Sequence, residues 1–162
     1  MNVYSAASSL HRFRKSWKSY VLQSTFAGLT SFLILLVLNL ENAVVIAALG
    51  ASAFIVFGRP FDLTARARNV IGGHMIGFVV GSVCALLPQS STVMTLGWYA
   101  LSVGLSIFLM VLFYLQHPPA AATALGVAMR GCSQEMLFAV VTITLGLAIA
   151  HYLLKPRLRN LF

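Results

Sequence analysis

Six apolar segments, separated by short polar or basic connections, divide the sequence. Four of them have the length that a helix needs to cross a bilayer core, about 20 residues at 1.5 Å each: 20–40, 69–87, 93–115 and 136–154. The other two, 42–58 and 118–129, are shorter and rich in small residues. This pattern predicts an all-α fold, a polytopic transmembrane helical bundle of long and short segments.

The order of the segments is the same in both halves of the chain. AALG at 47–50 matches TALG at 123–126, and aligning them makes each half read long, short, long. Three crossings in each half invert one half relative to the other, as in many transporters. We therefore predict a 3+3 inverted repeat of six segments. The alternative is four spans with two short re-entrant segments.

Basic residues are concentrated in connections that six crossings place on one side. The net charge is +8, and the ends 1–18 and 155–162 and the connection 58–68 are all basic. The positive-inside rule then predicts cytoplasmic termini around a single domain of 1–162, most simply in a bacterial inner membrane. Four spans would move Arg66 and Arg68 outside, which favours six. The same placement argues against nucleic acid as a partner.

Composition excludes an ordinary soluble domain and gives little support to catalysis. Only 9% of the residues are charged, against about a quarter in soluble domains. The three acids do not pair in sequence. His74 and His117 have no cysteine or carboxylate partners at the spacing of a zinc site. We therefore expect a protein that is not an enzyme and needs no metal or cofactor.

The third long segment runs into LQHPPAAATALG, which interrupts the apolar pattern. Proline suits the first turn of a helix and disfavours helical geometry in the residue before it, so a helix should begin at Pro118 or Pro119. A helix start within the membrane favours the binding of an anion, and His117 would lie beside that helix start. The small residues that follow, and Thr123 among them, allow close packing or leave space for a small solute. The alternative is a plain loop at headgroup level.

The second long segment, NVIGGHMIGFVVGSV, carries further polar candidates. Gly73, Gly77 and Gly81 share one helix face and predict close helix packing. Asn69 and His74 lie near that face. An intramembrane histidine usually faces a cavity or a partner, and its titration range also permits a role in proton coupling.

Two arginines of the connection 58–68 are candidates of another kind. Arg59 and Arg68 are either ordinary interfacial anchors or fixed positive charges at the inner mouth of an anion pathway. Attraction at such a mouth would raise the local concentration of anions and their rate of entry.

The sequence has a family resemblance that rests on three stretches. In chain order they are GASAFIVFGRP at 50–60, RNVIGGH at 68–74 and HPPAAATAL at 117–125. It resembles the HPP family of integral membrane proteins over about residues 16–154. Members are usually described as having four transmembrane helices, fewer than six. Plant and cyanobacterial members are associated with nitrite transport, and many bacterial members have no assigned function. Ala67 departs from the family pattern, which is expected to have proline there.

The residues and the resemblance together imply a transporter or channel for a small inorganic anion, with nitrite as the leading substrate. The candidate substrate-binding residues are His117, Pro118, Pro119, Thr123, His74, Asn69, Arg59 and Arg68. His117 would donate to the anion, and His74 would be a second donor or a proton carrier. The glycine faces also predict a homo-oligomer within the lipid bilayer. The alternative function is a membrane subunit that transports nothing and binds a partner protein or lipid.

Overall fold

The fold is a bundle of six α-helices in the part of the chain that the computed structural model describes, residues 6–38 and 43–162. The helices are α1 (Ala6–Val37), α2 (Ala43–Gly58), α3 (Ala67–Ala85), α4 (Thr92–Leu112), α5 (Pro119–Arg130) and α6 (Gln134–Leu154). Short 3-10 turns follow α2 and α6, at Leu63–Ala65 and Lys155–Arg157. The all-α prediction is confirmed. The side chains of the predicted basic N-terminus lie outside the described residues as far as residue 15.

Three of the described helices are long and apolar enough to cross a membrane: Ser16–Val37, Thr92–Leu112 and Gln134–Arg157. The remaining predicted long span, α3, has 19 residues. Its mean hydropathy is lower than that of the other three because it carries Arg68, Asn69 and His74. Asn69 and His74 are buried within the bundle. Two of the three polar residues that lower the hydropathy of α3 are therefore packed inside the protein, while Arg68 is exposed.

The helix ends follow from local sequence. Ser91 and Ser133 precede α4 and α6, and their hydroxyl oxygens accept the N–H groups of the residues three positions on, at 3.3 and 3.1 Å. Such caps satisfy N–H groups that the first helical turn leaves free. Pro119 is the first residue of α5, as the Pro-Pro pair predicts, and Gly131 follows its end with φ of 86°.

The glycine face of α3 packs directly against the backbone of α5. A methyl group on Gly77 would meet the Ala120 carbonyl oxygen, and one on Gly81 would meet the carbonyl oxygen of Ala124. No side chain separates the two helices along this line, so their backbones approach closely. The prediction of close packing is confirmed. The contact also embeds α5, which is too short to span a bilayer, within the protein.

The main helix contacts are symmetric between the two halves of the described chain. α2 packs against α1, α5 and α6, while α5 packs against α4, α2 and α3. α3 packs against α4, α5 and α6, while α6 packs against α1, α2 and α3. The set of neighbours is unchanged when α1, α2 and α3 are exchanged for α4, α5 and α6. A repeat of two three-helix halves requires this pattern, and the inversion of the halves remains a prediction.

The segment after α6, residues 158–162, lies back against α1 and α2. The buried Gln23 carboxamide of α1 donates to the carbonyl oxygens of Phe57 and Arg159, the second at 2.8 Å. Its oxygen accepts the N–H of Arg159 at 3.2 Å. One side chain of α1 therefore fastens the end of α2 and the C-terminal segment together.

Candidate functional site

A chain of hydrogen bonds joins buried polar groups where α2, α3 and α5 meet. Ser52 Oγ lies 3.0 Å from His74 Nε2 and 2.9 Å from His117 Nε2. His74 Nδ1 lies 2.7 Å from Thr123 Oγ1, and His117 Nδ1 lies 2.8 Å from the carbonyl oxygen of Thr64. Both imidazoles are only 1% exposed. We call these five residues the polar chain.

Each side chain of the polar chain is placed by the element that carries it. Ser52 comes from the small-residue stretch of α2, and His74 lies on the glycine-lined face of α3. His117 lies in the turn before α5, where the following proline keeps it out of helical geometry. Tyr114, with φ of 55°, turns the backbone from the end of α4 towards this position. Thr123 follows one turn into α5.

The contact with the Thr64 carbonyl sets the direction of the hydrogen bonds. A carbonyl oxygen can only accept, so His117 carries hydrogen on Nδ1, and Nε2 of the neutral ring is an acceptor. Ser52 therefore donates to His117 and accepts from His74 Nε2–H. His74 Nδ1 in turn accepts from the Thr123 hydroxyl. With both imidazoles neutral, all four side chains are satisfied, as burial requires.

Three of the predicted site residues, His74, His117 and Thr123, are brought together in the polar chain. Asn69 lies beside it, because its side-chain Nδ2 donates to the backbone carbonyl of Gln116 at 3.2 Å. This bond ties α3 to the residue that precedes His117. Asn69 thus helps to position the turn. It is not a hydrogen-bond partner of either imidazole.

Pro118 and Pro119 shape the start of α5. The N–H groups that follow them are already engaged: Ala120 donates to the His117 carbonyl at 2.9 Å, and Ala121 donates to the Pro118 carbonyl at 3.1 Å. An anion bound at this helix start would have to displace these bonds. The predicted anion contact at the prolines therefore remains a prediction.

Arg59 and Arg68 lie outside the polar chain, on the surface of the same end of the bundle. Arg59 forms an ion pair with Asp62 at 2.8 Å, and its guanidinium lies 5.3 Å from the centre of the Phe162 ring. Arg68 is exposed in the first turn of α3. Both belong to the region around the connection that supplies the Thr64 carbonyl, so positive charge surrounds one end of the site.

Sequence reasoning missed two members of the polar chain. Ser52 lies in GASAF, within the short segment 42–58 that is rich in small residues, and was not among the predicted site residues. The available signal was a hydroxyl in an otherwise apolar intramembrane segment. Thr64 contributes its backbone carbonyl, which any residue type provides, so no sequence signal identifies it.

A cavity of about 250 Å³ borders the polar chain at His117. Its other walls come from α4 and the start of α5, namely Ile107, Met110, Val111, Gln116, Pro118 and Ala121. The side-chain oxygen of Gln116 is buried there without a hydrogen-bond partner. Two larger cavities, of about 350 and 360 Å³, lie against α1 and include no residue of the polar chain. Of these three cavities, the smallest is thus the one that a residue of the polar chain lines.

Metal binding has no support in the side chains that the structure describes. No three histidine, cysteine, aspartate or glutamate side chains there lie close enough together to hold a metal ion. The two imidazoles share the Ser52 hydroxyl and are otherwise bonded to Thr123 and Thr64, so their four ring nitrogens are occupied by hydrogen bonds.

Comparison with known proteins places the chain in a family. The sequence pattern of the HPP transmembrane region matches residues 12–154. The chain belongs to the HPP family. This confirms the resemblance, and the three HPP motifs, far apart in sequence, supply Ser52, His74, His117 and Thr123 of the polar chain.

Two relatives of this HPP protein come from Dictyostelium discoideum, and both are described only as transmembrane proteins. They are 36% and 34% identical to it, over 115 and 109 residues. These stretches cover 67% and 62% of this chain but 40% and 35% of the relatives, so the HPP chain spans about two fifths of their length or less. No solved structure matches it.

Proposed function

We propose that this HPP protein transports a small inorganic anion, with nitrite as the leading substrate, along the polar chain where α2 and α5 meet. The observation that carries the proposal is the meeting of three sequence motifs in one buried hydrogen-bonded chain. Polar and titratable groups within a membrane protein are costly unless they are satisfied, and they commonly mark solute or proton pathways. The cavity beside His117 offers room for a small solute.

The lengths of the two central helices support the same region as the pathway. α2 has 16 residues and α5 has 12, which correspond to about 24 and 18 Å of helix at 1.5 Å per residue. A bilayer core is about 30 Å thick. Helices this short leave space for water beyond their ends and reduce the distance that an anion crosses without solvent.

Positive charge at one end would favour entry of an anion. The connection after α2 presents the exposed Arg66 and Arg68, and the end of α6 lies beside it, with Lys155 Nζ 5.8 Å from the centre of the Phe61 ring. Such a field raises the local concentration of anions and acts over about 10 Å at 0.1 M salt. It would therefore supply anions to the mouth of the pathway, whereas the polar chain supplies hydrogen bonds inside.

Nitrite uptake into proteoliposomes at mildly alkaline pH, where nitrite is ionised, tests this function. We expect uptake by the unmodified protein above that of protein-free vesicles, and uptake slowed about tenfold or more by His117→Asn. Asparagine keeps a donor near the position of Nδ1 but loses the contact with Ser52. A lost buried hydrogen bond of about 1–3 kcal/mol corresponds to roughly 5- to 150-fold in rate.

The matched control is His151→Asn. His151 is also buried, on α6, and its Nε2 has no hydrogen-bond partner, so it lies outside the polar chain. We expect this variant to keep its uptake. Equal uptake by folded His117→Asn and His151→Asn would contradict a pathway through the polar chain. Absence of uptake by the unmodified protein would favour the partner-binding or lipid-binding alternative.

We also propose that both ends of the chain face the cytoplasm, in a bacterial inner membrane and as a homo-oligomer. Tyr20 Oη donates to the Leu161 carbonyl at 3.3 Å, which supports a common side for the two ends. The basic residues there support the cytoplasmic assignment. The exposed glycines of α4, Gly97 and Gly104, offer a surface on which helices of two copies could approach closely.

The native cysteines test this topology. Cys132 is exposed in the connection between α5 and α6, at the opposite end from the basic residues, and Cys84 is buried. We expect a membrane-impermeant maleimide to label Cys132 in intact cells, and Cys132→Ser to abolish the labelling. Labelling only after the cells are broken open would place this connection in the cytoplasm and reverse the assignment.

A further inference from the structure

We propose that the polar chain relays a proton between His74 and His117 through Ser52, and that one proton accompanies each transported anion. The second part rests on the proposed function, whereas the first part rests on the geometry alone. Two imidazoles joined by a single hydroxyl at 3.0 and 2.9 Å form a path in which each proton moves over one hydrogen bond. The geometry also allows two protonation states of this path, and in both of them every side chain keeps its hydrogen bonds.

The first state is the neutral chain, in which each hydrogen bond points towards the Thr64 carbonyl. The second state holds one more proton. If His117 carries hydrogen on both nitrogens, it donates to Thr64 and to Ser52 Oγ. Ser52 then donates to His74 Nε2, and His74 Nδ1–H donates to the Thr123 hydroxyl. The same four contacts of 2.7 to 3.0 Å serve both states, and no side chain loses its partner in either.

Two steps convert the first state into the second. A proton binds His74 Nδ1 after the Thr123 hydroxyl rotates from donor to acceptor, which gives an imidazolium ion. The Nε2 proton of His74 then passes to Ser52 Oγ while the original Ser52 proton passes to His117 Nε2. One N–H and one O–H bond break as one O–H and one N–H bond form. The serine stays neutral, and the added charge ends on His117.

The polar chain holds one excess proton at a time. The two ring centres are 5.0 Å apart, and two buried imidazolium ions at that separation would repel each other strongly. The titratable group that faces His74 is the imidazole of His117. The other charged and titratable groups on surrounding elements do not act on the two rings. Arg59 is paired with Asp62, Arg66 and Arg68 are exposed, and His151 interacts with other residues.

This arrangement explains why an anion would move with the proton. Among the described residues no carboxylate lies against the imidazoles, so a charged His117 has no counter-ion from the protein. The cavity beside His117 would place an anion next to that charge. Binding of each therefore favours binding of the other, because together they bring no net charge into the membrane interior.

Nitrogen-15 NMR of histidine-labelled protein in bilayers tests the relay without any substrate. At mildly alkaline pH we expect hydrogen on Nδ1 of His117 and on Nε2 of His74. On acidification we expect His117 to become doubly protonated while His74 changes to the Nδ1–H form. Ser52→Ala should uncouple these two changes. The same tautomer in both rings, or two rings that titrate independently, would overturn the relay.

Transport measurements test the coupling. With one proton per nitrite, uptake by the unmodified protein is electroneutral, so a potassium–valinomycin potential leaves its rate unchanged while an internal pH dye reports proton entry. Nitrite uptake that follows the membrane potential would overturn the coupling and leave the proposed function intact. If the unmodified protein takes up no nitrite, the proposed function fails, and the NMR tautomers still decide the relay.

Discussion

Replacement of Ser52 by alanine is expected to slow nitrite uptake about tenfold or more, although this serine is not one of the site residues predicted from the sequence. The hydroxyl accepts from His74 Nε2–H and donates to His117 Nε2, at 3.0 and 2.9 Å. Its removal leaves two buried polar atoms unpaired, at a cost of about 1–3 kcal/mol each, and breaks the path between the rings. Initial rates of uptake into proteoliposomes, at equal amounts of folded protein, measure the effect.

Ser102→Ala is the matched control for Ser52→Ala. Ser102 is fully buried, but its hydroxyl donates at 2.7 Å to the carbonyl of Tyr99 on the same helix, so its loss affects one local bond. We expect uptake within about twofold of the unmodified protein, since such local bonds contribute little. Equal loss in the two variants would mean that any buried hydroxyl matters, and the special position of Ser52 would not hold.

Sequence reasoning reached the helices and three of the five residues of the polar chain because those features depend on local pattern. Apolar runs give helices, the Pro-Pro pair gives the start of α5 at Pro119, and glycines four apart give a packing face. His74 and His117 were identified because a titratable side chain is costly in an apolar membrane segment and therefore indicates a function. Each of these inferences uses neighbours in sequence alone, so no tertiary contact was required.

The remaining part of the site depends on contacts between distant segments. That Ser52 reaches both imidazoles follows from how α2 packs against α5, which itself packs against α3, and no spacing in the sequence encodes that packing. The Thr64 carbonyl sets the tautomer of His117, yet a main-chain atom leaves no mark in residue type. Arg59, a candidate for the mouth of an anion pathway, forms an ion pair with Asp62, three positions away. Helix packing, main-chain position and side-chain direction decide these three cases in turn.

Gly77→Ala is expected to lower the free energy of unfolding by about 3 kcal/mol, near the upper end of the usual cost of overpacking. The new methyl group would overlap the Ala120 carbonyl oxygen and lie 3.2 Å from the backbone nitrogen of Ala124. Both neighbours are backbone atoms of α5, which cannot rotate aside as a side chain can, so the two helices must separate. Unfolding in detergent, followed by circular dichroism, measures the loss.

Gly28→Ala on α1 is the matched control, because it adds the same methyl group where nothing lies within 4 Å. Alanine favours a helix interior by about 0.5–1 kcal/mol over glycine, so this variant should be equal to or more stable than the unmodified protein. The two substitutions are thus expected to change stability in opposite directions. Equal stability of the two variants would contradict direct backbone packing between α3 and α5.

The same substitution connects packing to function. Separation of α3 from α5 stretches the 2.7 Å contact between His74 Nδ1 and Thr123 Oγ1, which joins those helices within the polar chain. Gly77→Ala should therefore slow nitrite uptake in the protein that remains folded. This would occur although Gly77 neither lines the cavity nor belongs to the polar chain. Lower stability with unchanged uptake would show that the Thr123 end of the chain tolerates displacement. Transport would then depend on Ser52 and the two imidazoles alone.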